Sequence, residues 1–502
     1  MKSSILRTLR GTLVATTFAD GLFSLSKMAC IVFALCAVMA IPSPAQESEF
    51  HSLFSFNGTC TSGANPGFGN LVQGPDGKLY GTTEVCEGKQ GTVFKFATTA
   101  KKPTTIHVFC AGDVCSDGAK PYGGLTLANG MFYGTTYYGG GASNDGSVFQ
   151  ITSTGKLTPI YDFDGTDGSE PLAAPFRAKD GNLYGTTVIG GSSNLGTLYE
   201  MSTAGTNEVS LSFTGANGEL PYARLVQGTN QNIYGTTSLA KSGNGTVFAI
   251  LPKTGFATLY TFKGAAKGGF PYAGLVQARN GNFYGTTESG GAHIQGGTVF
   301  SMTPAGKVTT IYNFCSKPNC TDGRNPMDSL IQASDGNLYG TTYNGGANSS
   351  PNCLSNSGCG TIFKITTSGV LTTLYNFCGL PNCVDGNQPE AGLVQATNGT
   401  FYGTTYSGGT MGVGTVFSLS VEGLKPFVKI VPAWGTAGAT AMILGDNLTD
   451  ATRVTFNGVP AAFTVVSSTE IEATVPTGAT AGTVTVDTPG GTLKSNEIFQ
   501  VD

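Results

Sequence analysis

The chain has 502 residues and a formal net charge of −4, and charged residues are only 12% of it, about half the roughly 25% of an ordinary soluble protein. Glycine accounts for 74 residues and aromatic residues for 10%, a glycine share about twice the usual roughly 7%. This composition excludes intrinsic disorder, a coiled coil and a basic nucleic-acid binder, and it points to an all-β chain with many tight turns.

Residues 1–45 read as a signal peptide. Lys2, Arg7, Arg10 and Lys27 precede an apolar run, Met28 to Ile41, and the small residues Ser43 and Ala45 suit a cleavage site after Ala45. The run falls short of the roughly 20 residues that span a bilayer, although an uncleaved anchor is the alternative. No later segment is apolar enough to be transmembrane. Cleavage removes four basic residues and one acid, leaving 23 Lys and Arg against 30 Asp and Glu, a balance of −7. That acidity argues against nucleic acid and anionic membrane as partners. Ten of the 12 cysteines remain, an even number that favours disulfides in an exported chain.

One sentence then repeats through residues 46–422. Its core, Tyr-Gly-Thr-Thr, begins at Tyr80, Tyr133, Tyr184, Tyr234, Tyr284, Tyr339 and Tyr402. A Gly-Thr-Val-Phe-like tetrapeptide follows each, at Gly91, Gly146, Gly196, Gly245, Gly297, Gly360 and Gly414. Each repeat holds four short runs rich in Tyr, Phe, Val and Thr. In the fifth these are Leu275–Ala278, Asn282–Thr287, Thr298–Thr303 and Val308–Phe314. Asp-Gly or Asn-Gly pairs such as Asp76-Gly77 and Asn280-Gly281 supply the positive φ of a tight hairpin between the first two runs. Four antiparallel strands per repeat make a propeller blade. The seventh repeat lacks a fourth strand, and a matching strand stands alone at His51–Phe56. The expectation is therefore a seven-bladed β-propeller closed by that N-terminal strand, with an open β-solenoid as the alternative. The tyrosines and threonines of the motif read as packing between repeats, with the motif's glycine (Gly81 in the first) letting the neighbouring repeat approach.

These seven copies resemble the GloVer tandem repeat of exported bacterial proteins with varied C-terminal anchors. Repeat 3 departs at Gly196-Thr197-Leu198-Tyr199, and repeat 4 lacks the hairpin glycine at Asn230-Gln231-Asn232. The resemblance implies a compartment and an architecture, and no reaction.

From residue 423 to 502 the pattern changes. Gly445-Asp446-Asn447-Leu448, Ala473-Thr474-Val475-Pro476 and short alternating runs between them predict a small immunoglobulin-like β-sandwich. The segment looks like an IPT/TIG domain, which implies a spacer or docking module. The chain ends Phe499-Gln500-Val501-Asp502, with no apolar anchor.

The loops that join consecutive repeats, and those between second and third strands, carry nearly all the length variation. The longest runs from Tyr339 to Gly360. Function concentrates in variable loops on a rigid scaffold, so this face is the candidate for binding. The cysteines fall on it: Cys110/Cys115, Cys315/Cys320 and Cys378/Cys383 at one repeat position, Cys353/Cys359 within the long loop, and Cys60 with Cys86 as predicted neighbours. Five local disulfides follow, each worth roughly 2 kcal/mol by the loop-entropy account. Zinc is the alternative and needs two pairs to converge. Asp117, Asp167, Asp322 and Asp385, each before glycine, mark the same face, and with them a calcium site or sugar contacts are weighed against simple turn formation. Of three histidines only His293 sits in a loop of this face. No nucleophile elbow, phosphate loop or metal motif is present, so no catalytic residue and no cofactor is assigned. The sequence reads as an exported, non-enzymatic scaffold, secreted, periplasmic or on the cell surface, that binds or displays. Its partner is a polysaccharide or a surface protein. The alternative is a carbohydrate-active or lyase-type enzyme working on the variable face.

Overall fold

The computed structural model describes residues 48–501 except 100–101, 113–114, 242, 252–254, 265–266, 294, 352 and 354–357. The signal-peptide reading of residues 1–45 lies outside the described residues. Among the described residues no helix is long and apolar enough to cross a membrane.

Each repeat forms one antiparallel four-stranded sheet with its strands in chain order. In the fifth these are Val276–Gln277, Phe283–Thr287, Thr298–Met302 and Val308–Asn313. The seventh differs. Its first three strands are Val394–Gln395, Phe401–Thr405 and Thr415–Val421, and its fourth is Ser48–Ser55, from the other end of the described chain. This N-terminal strand copies its counterparts in detail. In repeats 1 to 6 the fourth strand carries one extra residue opposite the same aliphatic-aromatic step of the third, as between Val93 and Phe94, Leu198 and Tyr199, or Ile362 and Phe363. In the seventh the extra residue is Leu53, between Ser52 and Phe54. A bulge bends a strand and increases its twist, so all seven sheets share one curvature.

Seven apolar clusters join the sheets pairwise. Tyr80 of the first sheet meets Phe132 and Phe149 of the second, and five further clusters continue the series. In the seventh cluster, Val394 and Tyr402 of the last sheet meet Leu71 and Phe94 of the first, with Phe56 between them. The repeated tyrosines carry much of this contact. Tyr80–Phe132, Tyr234–Phe283 and Tyr339–Phe401 have ring centroids 4.2, 4.2 and 4.4 Å apart. Burying one such ring contributes about 1.5–3 kcal/mol. The tyrosine hydroxyl stays satisfied at the hairpin turn: Tyr80, Tyr184 and Tyr339 donate to Asp76, Asp180 and Asp335 at 2.8–2.9 Å. Where repeat 4 lacks the turn glycine, Gln231 itself takes the left-handed conformation at φ 69°.

The two glycines of the motif have different tasks. A Cβ on Gly81 would lie 2.6 Å from Leu71 and 2.8 Å from Phe94, both in its own repeat. This corrects the sequence reading: the glycine of Tyr-Gly-Thr-Thr makes room for its own repeat's core, not for the neighbouring one. The glycine of Gly-Thr-Val-Phe makes the close approach between repeats. Gly91 has φ +107°, and its Cβ would meet Pro121 of the next repeat at 2.6 Å; Gly414 stands in the same relation to Pro66, at 2.8 Å. A polar clasp joins five of the same junctions. Gln227, Gln277, Gln332, Gln395 and Gln73 accept from the backbone N–H of Lys179, Thr229, Arg279, Ser334 and Thr397, each in the preceding sheet of the series. Leu127 and Arg177 stand at the equivalent positions of the other two sheets.

Residues 427–501 hold two further four-stranded sheets and one parallel strand pair. Their apolar faces close on a separate core around Ile443, Phe456, Ile471 and Val486. This is the sandwich expected from the alternation of the sequence.

Candidate functional site

The predicted site residues are pinned inside their own loops. Asp322 is fully buried and accepts from Tyr312 Oη at 2.8 Å, Ser316 N at 3.0 Å and Ser316 Oγ at 2.8 Å. Asp385 is held in the same way by Tyr375 Oη at 2.6 Å and Gly379 N at 2.9 Å. Asp167 takes the hydroxyl of Tyr161 and the N–H of Asp164. Asp117 accepts from His107 Nε2 at 2.9 Å and Cys110 N at 3.0 Å. Burial raises the Asp117 carboxyl, but these bonds outweigh it and hold the group below the ordinary range. His293 is exposed, and its carbonyl receives Gly296 N. The five cysteine pairs are disulfide-bonded: Cys60–Cys86, Cys110–Cys115, Cys315–Cys320, Cys353–Cys359 and Cys378–Cys383.

The site the sequence reading missed lies at the end of the second strands. In every repeat the residue before the conserved proline adopts a left-handed conformation at φ 53–59°: Asn65, Lys120, Glu170, Leu220, Phe270, Asn325 and Gln388. Its N–H bonds to the preceding sheet's loop, as Lys120 N to Gln90 O. Its carbonyl receives the N–H of the residue that follows Tyr-Gly-Thr-Thr, as Glu84 N to Asn65 O and Tyr406 N to Gln388 O. Seven identical anchors therefore hold seven variable side chains: Glu84, Tyr137, Val188, Ser238, Glu288, Tyr343 and Tyr406. The residue after each proline adds Tyr122, Tyr222, Tyr272 and Glu390.

Five of these side chains, Glu84, Tyr122, Tyr137, Glu390 and Tyr406, line a cup of about 420 Å³ together with Lys120 and Tyr138, whereas Tyr222 and Tyr272 line a larger cavity. Glu84 is its hub, accepting from Tyr122 at 2.6 Å, Tyr406 at 3.1 Å and Lys120 at 3.4 Å. Tyr137 donates to Glu170 at 2.5 Å and lies edge-on to Tyr122, with centroids 5.3 Å apart. Tyr222 and Tyr272 lie 5.0 Å apart. Burial, then the charge of Glu84, pushes the Glu390 carboxyl up to about 8, so Glu390 is largely protonated at neutral pH. Burial also raises Glu288, with Arg324 working against it. Burial and Glu390 push Tyr343 up to about 12. The cup thus offers ring faces, carboxylate acceptors and one carboxylic acid donor. The cue in the sequence was variation at fixed points of an otherwise constant motif.

Phe68 and Leu172 also line a second cavity of about 840 Å³, which reaches the first strands and the C-terminal sandwich. The sandwich docks on the hairpin-turn end of the repeats. Arg279 donates twice to Asn496 O, at 2.7 and 3.0 Å, Thr469 Oγ1 bonds to Pro75 O at 2.7 Å, and Arg177 stacks 5.7 Å over Trp434. The chamber is mostly apolar. Arg224 faces it, its charge disfavoured by burial and partly restored by Glu497. Asp328, at its wall, is pushed up to about 6 by burial despite N–H bonds from Ser329 and Gly392.

Among solved structures, an oligogalacturonate lyase in complex with manganese is similar at 9% identity and a TM-score of 0.44, over 75% of this chain and 97% of that one. A putative 6-phosphogluconolactonase from Bacteroides uniformis is similar at 18% identity and a TM-score of 0.40, over 61% and 83%. A luciferin-regenerating enzyme is similar at 12% identity and a TM-score of 0.39, over 76% and 97%. No curated protein sequence matches the chain. The sequence matches the Gloeobacter/Verrucomicrobia repeat over residues 38–176, 140–354 and 236–459, and the IPT/TIG domain over 427–500. The chain therefore belongs to the Gloeobacter/Verrucomicrobia repeat family and carries an IPT/TIG domain at its C-terminal end.

Proposed function

We propose that the seven sheets are the blades of a β-propeller closed by Ser48–Ser55, spanning residues 46–422, and that residues 423–502 form an immunoglobulin-like domain seated on one end. We further propose an exported scaffold, secreted, periplasmic or surface-held, that binds without transforming its ligand. Five disulfides support an oxidising compartment. The observation that carries the binding reading is the tyrosine–glutamate cup. Ring faces bury the apolar face of a sugar, and carboxylates accept its hydroxyl protons. The ligand is accordingly a polysaccharide or the glycan of a surface protein, engaged at the open, loop-side end. The test is retention of residues 46–502 on insoluble polysaccharides and envelope fractions, beside Glu84→Gln and Tyr406→Phe. Retention by the parent chain and about tenfold weaker retention by either variant supports the reading. Equal retention by all three sinks it.

One observation favours the enzymatic alternative. Burial and the charge of Glu84 push the Glu390 carboxyl up to about 8, and a raised carboxylic acid beside a second carboxyl group is the pairing that proton transfer to a glycosidic oxygen uses. Sugar released into the supernatant, and lost in Glu390→Gln, selects this alternative.

A further inference from the structure

We propose that Cys353, Cys359, Cys378 and Cys383 form, once reduced, a four-thiolate site for a zinc-like divalent ion. Residues 25 apart in the chain meet here because Cys353 and Cys359, in the long loop of the sixth repeat, lie against Cys378 and Cys383, in the connection into the seventh. The four Sγ atoms all lie within 4.8 Å of one another, and Cys353 Sγ is 3.6 Å from Cys378 Sγ across the two disulfides. A tetrahedral zinc–thiolate centre has Zn–S bonds of about 2.3 Å, which places its sulfurs about 3.8 Å apart. Ligation therefore draws the widest separation, up to 4.8 Å, in to about 3.8 Å and, once the disulfides are reduced, lets each formerly bonded pair open from about 2 Å to the same spacing. Cys353, Cys359 and Cys383 are at most 3% exposed, so a bound ion would be shielded from water. Asn387 Nδ2 approaches Cys353 Sγ at 3.8 Å and supplies the N–H contact that supports a thiolate ligand. Among the described residues this is the group of cysteines that converges; the other three disulfides stand apart. The inference does not rest on the binding function proposed above.

The chemistry balances with an external dithiol. Two dithiol molecules deliver four electrons and four protons, the two disulfides become four thiols, and each dithiol closes to its own disulfide. The divalent ion then displaces four protons to solvent, leaving a centre of net charge −2. Reduction thus exchanges two covalent links inside the loops for one ion that ties the loops together.

The experiment is cobalt(II) titration of the full chain after reduction by a phosphine and removal of the reductant. Cobalt reports tetrahedral thiolate ligation through its visible d–d bands and its sulfur charge-transfer band. The expected result is one equivalent per chain in the parent and in Cys110→Ser/Cys115→Ser, with zinc displacing the colour. No such bands are expected in Cys353→Ser/Cys378→Ser or in the oxidised parent. Absence of stoichiometric uptake by the reduced parent overturns the proposal, as do bands that persist in Cys353→Ser/Cys378→Ser. Each chain is also refolded from denaturant with cobalt present. A site formed only on folding then separates from scavenging by loose thiols, because scavenging persists in denaturant.

Discussion

At the scale of the residue, the repeat shows its logic best where it is broken. Six repeats place Phe in the third strand beside the motif's second-strand glycine; the third places Tyr199 there. Its ring fills the same space, and a Cβ on Gly185 would lie 2.1 Å from its hydroxyl. That hydroxyl is buried with no hydrogen-bond partner, and burial raises its pKa. An unsatisfied buried hydroxyl costs about 1–3 kcal/mol. Tyr199→Phe is therefore expected to raise stability by roughly 1 kcal/mol, seen as a higher thermal midpoint; an unchanged or lower midpoint refutes the account. The aspartates Asp322 and Asp385 follow the opposite rule. Their oxygens are filled by backbone donors of their own loops and by a tyrosine of the strand leading in, which is why Asp-Gly at this position builds a turn.

At the scale of the element, the junction between repeats is built on a glycine with positive φ under a proline. Gly414 is the case that joins the last sheet to the first, with φ +103° and Thr405 O 2.4 Å from a Cβ. Alanine there combines backbone strain with a clash that neither neighbour can relieve by rotating a side chain. Gly414→Ala should cost more than about 2 kcal/mol, measured as a lower denaturant midpoint at unchanged slope. Gln395→Leu removes a clasp bonded to Ser334 N and Gly399 O. It should cost about 1 kcal/mol, because it strands Ser334 N, a part-buried donor. Additivity of the two substitutions would show the junctions to be independent. The hairpin turns, the strand pattern and the local disulfides were legible in the sequence, since each is decided by residues within a few positions. The left-handed residues before proline were not. Lys120, Leu220 and Phe270 have no preference for that conformation, and it is imposed by hydrogen bonds to the preceding sheet.

At the scale of the whole molecule, two features depend on residues far apart. The first is the strand Ser48–Ser55, whose pairing with Thr415–Val421 joins the two ends of the repeat array. Deleting residues 48–56 exposes the third strand of the last sheet as an edge and removes Phe56 from the seam with the first. The expected outcome is broad, non-cooperative unfolding and aggregation; a sharp two-state transition at the parent midpoint would refute it. The second is the cup, whose pH dependence follows from Glu390. Its pKa in the folded chain is about 8 against 4.5 when free. The folded state therefore holds a proton that the unfolded state releases between those values. This contribution is fully present below pH 4.5 and is lost as pH rises through about 8. The slope cannot exceed about 1.4 kcal/mol per pH unit for one proton. Thermal midpoints of the parent should fall across this window more steeply than those of Glu390→Gln. Parallel curves would show that the carboxyl is not raised.

The sequence by itself determined the all-β class, the repeat family, the terminal IPT/TIG domain and the pairing of the cysteines. All four are written in short-range pattern: alternation, turn residues, fixed motif spacing and cysteines paired within one loop or, for Cys60 and Cys86, within one repeat. Only the tertiary structure decided that Glu84, Tyr122 and Tyr406 meet at one hub, that the C-terminal sandwich caps the hairpin-turn end, and that two cysteine pairs converge. The hub joins residues 322 apart in the chain and the sandwich contact residues 217 apart, while the cysteine pairs, 25 apart, are brought together by the packing of neighbouring repeats. A strand's own residues dictate which face it buries. Which side chains of different repeats then face each other is set by the packing of all the sheets together.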